Sequence, residues 1–146
     1  MAENAKKYSL QLTQKVQWGE MDSFNHVNNS VYFRYFENAR IAYFDETGIN
    51  QHMQECKVGP ILGSTECKFL APLTYPDTVD IFTRVIAIKE KRFTMEYMVF
   101  SHQLNREVAV GKGEIVYFDY AANRTSEIPE NILSQIQLVE SKRDQH

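Results

Sequence analysis

Apolar side chains along this chain alternate at first, become nearly continuous, and then alternate again. Tyr8, Leu10, Leu12, Val16 and Trp18 share one parity between residues 8 and 18, the period of a half-buried strand. From Ser30 to Glu46, ten apolar positions (Val31, Tyr32, Phe33, Tyr35, Phe36, Ala39, Ile41, Ala42, Tyr43 and Phe44) cover most of a helical circumference. Asn28 and Asn29 precede them as good N-caps, and Gly48 follows as a C-terminal stop. A helix this apolar needs enclosure on more than one side. After a looser stretch, residues 60–71 alternate again, with Ile61, Thr65, Cys67 and Phe69 opposite Ser64, Glu66 and Lys68, and the turn TYPDT closes the strand.

Residues 79–88, 93–102 and 108–118 predict three more strands, joined by the short connections KEKR and QLNRE. Connections of hairpin length suggest an antiparallel meander. Ile132, Leu133, Ile136 and Val139 recur at helical spacing after Pro129, giving a short amphipathic C-terminal helix. Both ends, 1–6 and 141–146, are expected to fray. The layout is strand, long helix, four strands, short helix, without repeat or linker. One sheet wrapped around one helix satisfies it, a single α+β domain over 1–146.

Composition narrows the function classes. A chain of 146 residues buries roughly two thirds of its unfolded surface, and 43% hydrophobic content supports a packed core. A net charge of -3 opposes nucleic-acid binding, which needs a basic face. The start MAENAKKYSLQL places charges where a signal peptide needs apolar residues, and no run reaches bilayer-spanning length, so a cytoplasmic protein without membrane contact is expected. Cys56 and Cys67 form no C-x-x-C pair and read as reduced structural thiols. The four histidines lack metal-ligand spacing and no G-x-S-x-G occurs, so neither a metal, a cofactor nor a serine nucleophile is expected. Gly111 and Gly113 stand inside a strand, where glycine permits close backbone approach or a bulge.

The chemistry is concentrated in Trp18-Gly19-Glu20-Met21-Asp22-Ser23-Phe24-Asn25-His26-Val27-Asn28-Asn29. It puts a carboxylate and an imidazole just ahead of a helix start. There the first N–H groups have no intrahelical partner and the dipole is positive, so a carbonyl oxygen gaining negative charge is stabilised. Asp22, ionised near neutrality, can attack that carbonyl carbon or take a proton from the water that does.

The segment GEMDSFNHVNNSVYFRYFENARIAYFDETGI resembles the 4-hydroxybenzoyl-CoA thioesterase family of the hotdog fold, with weaker support at Phe69 to Asp77 and in IKEKRF. The resemblance spans roughly residues 8 to 130. It implies five antiparallel strands around a central helix, a dimer whose sheets join (a homodimer or homotetramer), and acyl-CoA hydrolysis at the subunit interface. It also implies that Asp22 is general base or nucleophile, that the Asn29 backbone N–H polarises the carbonyl, and that Lys89, Lys91 and Arg92 contact CoA phosphates. Asp22 to Asn29 is similar, too, to the active-site loop of plant acyl-acyl-carrier-protein thioesterases, which leaves acyl carrier protein open as the thioester donor. Phe24 stands where that group has Asn, and Asn29 stands where the Tol-Pal-associated thioesterases have His.

Simpler roles compete. Asp22 can cap a turn through its own backbone. His26 orients water or holds the loop by a hydrogen bond. The side chains of Asn28 and Asn29 read as caps, leaving chemistry to the backbone. Glu37 is a rival acid, but Arg34 and Arg40 lie three residues to either side, so a helical charge pair is the better reading. Lys89, Lys91 and Arg92 can equally be a solvated turn. A hotdog hydratase-dehydratase of enoyl or hydroxyacyl thioesters, and a noncatalytic acyl-thioester or carrier-protein binding module, are the alternatives to a thioesterase.

Overall fold

The structure, a computed structural model, describes residues 2–142. In chain order it has α1 (Ala2–Ala5), β1 (Leu10–Lys15), a 3-10 turn (Trp18–Glu20), α2 (Asn29–Glu46) and α3 (Ile49–Cys56), then β2 (Val58–Phe69), β3 (Thr78–Ile88), β4 (Arg92–Ser101), β5 (Arg106–Asp119), β6 (Arg124–Thr125) and α4 (Glu130–Ser141). The strands pair antiparallel in the order β1-β3-β4-β5-β2, with β6 added to β5. β3, β4 and β5 form the expected antiparallel meander. The segment holding α2 and α3 carries the chain from one sheet edge to the other, so β2 joins the far side of β5. Alternation assigns a residue to a face of the sheet but leaves its neighbouring strand open.

Helix α2 begins where Asn28, in extended conformation (φ -60°, ψ 139°), accepts a hydrogen bond from the Ser30 N–H at its side chain. It ends at Thr47, whose hydroxyl donates to the Tyr43 carbonyl at 2.9 Å, followed by Gly48 at φ 78°. The face carrying Tyr35, Phe36, Ala39 and Tyr43 is fully buried; each aromatic removed from water contributes about 1.5–3 kcal/mol. Phe36 stacks on Tyr97 of β4 with ring centroids 4.6 Å apart. Behind that stack, a Cβ on Gly111 would lie 2.5 Å from the Phe36 ring and 2.6 Å from the Glu66 carbonyl oxygen. The first glycine of the G-x-G therefore serves close approach. Enclosure of α2 is less complete than its composition predicts: Ile41 is 48% exposed, because the sheet curls around one side only.

α1, α3 and the two-residue strand β6 lie outside the expected layout. In α3 the apolar stripe Ile49, Met53 and Cys56 spans only about two turns, and of these only Ile49 is buried. At the N-terminus, where fraying is expected, residues 2–5 make one helical turn. Ala5, which ends that turn, and Tyr8 beyond it pack over Phe82, Met98 and Phe100, a small second core on the outer sheet face. At the other end Ser141 closes α4, while residues 143–146 of the expected frayed tail lie outside the described residues. Glu140 fastens α4 by accepting from Tyr43 Oη at 2.6 Å, Ser9 Oγ at 2.8 Å and the Val85 N–H at 3.1 Å.

Edge strand β2 is long and largely exposed, with Ile61, Leu62 and Phe69 each about 40% accessible. Among the described residues nothing pairs with its outer edge. Long apolar edges invite pairing with another chain.

Candidate active site

Two antiparallel arms lead into and out of the Asp22 turn. The Val16 N–H donates to Asp77 O at 2.9 Å, anchoring the outgoing arm to the start of β3, and the Val27 N–H donates to Leu73 O at 2.8 Å, anchoring the returning arm. Between them run the Asn28 N–H to Glu20 O (3.0 Å), an isolated bridge between Met21 and Val27, and the Asp22 N–H to His26 O (2.7 Å). Asn25 turns the tip at φ 62°, a left-handed conformation that Asn tolerates.

At Asp22 the turn-capping role and the free carboxylate coexist. Oδ1 accepts from the N–H groups of Phe24 at 2.8 Å and His26 at 3.2 Å, whereas Oδ2 takes no partner among the described residues. The Asx turn thus holds the carboxylate still and leaves one oxygen available. The exposed His26 imidazole has no hydrogen-bond partner among the described residues. Of the two candidate caps, Asn28 does the capping: its Oδ1 accepts from the N–H and hydroxyl of Ser30, both at 2.9 Å. Asn29 is the first helical residue, and its N–H is one of the orphan donors of the helix start.

Asp22, His26 and Asn29 border one cleft of about 490 Å³. Its other walls are apolar, including Phe24, Val27 and Tyr32 with Phe69, Leu70 and Pro72 from the end of β2 onward. Burial, helped by the neighbouring Cys67 sulfur, pushes the Tyr32 phenol up to about 12, so it stays protonated at neutral pH. Such a cleft can hold an apolar group with a carbonyl at the helix start and water beside the carboxylate.

Lys89, Lys91 and Arg92 are not brought to this cleft. They occupy the β3–β4 turn and are exposed. The Asp22 arms attach at the opposite end of β3, whose eleven residues span roughly 35 Å. Within one chain the two groups cannot touch the same thioester carbonyl.

The helical charge pair also has a narrower composition than expected. Arg40 approaches Glu37 at 3.9 Å and donates from Nη1 to Tyr97 Oη at 3.2 Å, whereas Arg34 is exposed on the other side. Periodicity missed Glu20 and Tyr35, which meet at 3.0 Å through the Tyr35 hydroxyl and Glu20 Oε1. Tyr35 reads from sequence as core, and nothing local signals that its hydroxyl has a loop partner. Among the described residues no group of three or more His, Cys, Asp or Glu side chains is arranged to hold a metal.

The family model of the thioesterase-like superfamily matches residues 16–136, the site and nearly all the fold. The chain belongs to the thioesterase-like superfamily. It is accordingly a thioester hydrolase with a hotdog fold. A chloroplastic acyl-acyl carrier protein thioesterase of Arabidopsis thaliana is 31% identical over 122 residues, covering 82% of this chain and 64% of that protein. The chain thus spans about two thirds of the plant relative. A protein of Aquifex aeolicus is 28% identical over 82% of this chain and 91% of its own length. Among solved structures, a thioesterase complexed with coenzyme A and Zn from Thermus thermophilus superposes with a TM-score of 0.82 at 24% identity, covering 92% of this chain and 96% of that one. That likeness speaks for the fold. No helix of the described residues is long and apolar enough to cross a membrane.

Proposed function

We propose that this superfamily member hydrolyses an acyl-CoA thioester to the free acid and CoA in the cytoplasm, without a cofactor, using Asp22 and the Asn29 N–H. The observation that carries the reading is a single cleft bordered by a carboxylate with one unengaged oxygen and by an orphan helix-start amide. The thioester oxygen accepts from Asn29 N–H, while Asp22 Oδ2 takes a proton from water as its oxygen adds to the carbonyl carbon. Negative charge then moves onto the carbonyl oxygen, where the amide and helix dipole stabilise it. Collapse breaks the carbon–sulfur bond, and the thiolate leaves and takes back the proton held by Asp22. Alternatively Asp22 Oδ2 attacks the carbonyl carbon and expels the CoA thiolate, leaving a mixed anhydride. Water then adds to the acyl carbonyl, releasing the free acid and the Asp22 carboxylate, and the proton it gives up neutralises the thiolate. The same carboxylate and amide serve both routes. His26, unpartnered at the rim, orients the water.

Lys89, Lys91 and Arg92 join this scheme through a second copy. The Phe69 end of β2 borders the Asp22 cleft, while its Val58 end pairs with Asp119, beside the start of β4 and the basic turn. Two-fold pairing of identical edges is antiparallel. It brings the partner's Val58 end toward Phe69, and with it the basic turn of the partner subunit toward the CoA phosphates. A homodimer through β2, alone or doubled into a tetramer, is the assembly this supports.

The test is thiol release from a panel of acyl-CoA and acyl carrier protein thioesters. The plant relative motivates the carrier-protein arm. Asp22→Asn should fold normally and lose about 10² to 10⁴ in kcat. Retained turnover in folded Asp22→Asn, with Glu37→Gln inactive, would move the base onto the helix.

A further inference from the structure

The geometry points to Glu20 and Tyr35 as a positioning pair that sets the placement of the Asp22 carboxylate relative to the Asn29 N–H. The inference rests on the roles proposed above for Asp22 and Asn29. Those groups lie on opposite arms of the loop, so their separation depends on what joins the arms and on what fixes the arms to α2. Glu20 does both. Its backbone oxygen accepts from the Asn28 N–H at 3.0 Å, next to the helix start. Its carboxylate Oε1 accepts from the Gln17 N–H at 2.7 Å and from Tyr35 Oη at 3.0 Å.

Tyr35 lies six residues into α2 from Asn29, about 9 Å along the axis. The loop therefore meets the helix at two separated points, one at the cap and one at Tyr35. A single point would fix a distance; two fix the tilt of the outgoing arm, which ends two residues later at Asp22. The Tyr35 ring is completely buried, so it offers a stationary anchor. Burial first, and then the adjacent Glu20 charge, hold its phenol far above the ordinary tyrosine value, keeping it a donor throughout the working pH range. No ion pair with Lys, Arg or His involves Glu20 among the described residues. A half-buried carboxylate without a cation is a costly way to fill space, but it supplies a strong directional acceptor for two donors at once.

Tyr35→Phe keeps the buried ring and removes only the hydroxyl, and Glu20→Ala removes the acceptor. Small misplacement of reacting groups costs about 10²-fold, so each variant should lower kcat by about 10- to 100-fold with KM nearly unchanged and unfolding still cooperative. Glu20→Gln keeps an oxygen that can accept from both donors and should restore most of kcat relative to Glu20→Ala. Because the two residues act through one contact, Glu20→Ala/Tyr35→Phe should lose little more than the worse single variant. A merely structural role would lower melting temperature without this split, rescue or non-additivity.

Folded Tyr35→Phe and Glu20→Ala with wild-type kcat would overturn the inference, as would Glu20→Gln as impaired as Glu20→Ala. Asp22→Asn measured in the same assay separates the two levels: if it stays active the catalytic reading fails, and if it is inactive while the pair variants are normal, only the positioning role fails.

Discussion

Replacing Asn29 by proline tests the helix-start amide by removing one hydrogen atom's worth of chemistry. Proline suits the first helical position, where its fixed φ matches the helix and its missing N–H has no intrahelical partner. Asn28, the residue before it, already has φ -60° and ψ 139°, the extended conformation that proline imposes on its predecessor. The capping bond runs from the Ser30 N–H to Asn28 Oδ1 and is untouched. Folding should therefore change by less than about 1 kcal/mol, since neither a cap nor a helix bond is lost. Removing an oxyanion donor costs about 10² to 10³ in kcat, or roughly 2.7–4 kcal/mol of transition-state stabilisation. Asn29→Ala keeps the N–H and is the control, expected to retain most of kcat and, with Asn28 as the cap, most of the stability. Circular dichroism and thermal melts establish folding, and single-turnover thiol release reads the chemical step. A folded Asn29→Pro enzyme turning over at the Asn29→Ala rate would remove this amide from the mechanism.

Light scattering during size exclusion should give at least twice the 17.0 kDa chain mass, and a fully active monomer at assay concentration would sink the shared site. Mixing subunits of Asp22→Asn with subunits carrying Lys89→Ala, Lys91→Ala and Arg92→Ala should recover up to about a quarter of wild-type activity, because one site of each heterodimer is intact. Stability should be level through neutral pH and decline in alkali. Burial raises the Cys67 thiol from 9.0 to about 11 and the Tyr8, Tyr32 and Tyr117 phenols from 10.0 to about 12. Each group's contribution is whole below its unfolded value and is lost as pH rises through the folded one. Melting temperatures and phenolate absorbance followed from pH 8 upward check this; ordinary tyrosine titration in the still-folded protein would contradict it.

Local features of the sequence determined much of this protein. Strand alternation marked the strands, although the bulge between Leu62 and Ser64 turns Ile61 to the face opposite Thr65, Cys67 and Phe69, and Trp18 falls in the exposed 3-10 turn rather than on the strand face. The apolar run from Val31 to Phe44 marked α2. Asn28, Asp22 and His26 marked a polar turn feeding a helix start. These features depend on neighbours within a few residues, which is the range over which periodicity, capping and turn chemistry act. Tertiary structure decided the rest. It placed β2 beside β5 as a free edge and put the basic turn at the far end of the sheet from Asp22. It chose Arg40 over Arg34 as the partner of Glu37 and joined Tyr35 to Glu20 across the loop. Those outcomes depend on where a crossover lands and which side chains then meet in three dimensions. Even the Glu37 partner is set by Tyr97, which lies 57 residues beyond Arg40 and holds it, and residues that far apart carry no fixed phase relation that a linear pattern could encode.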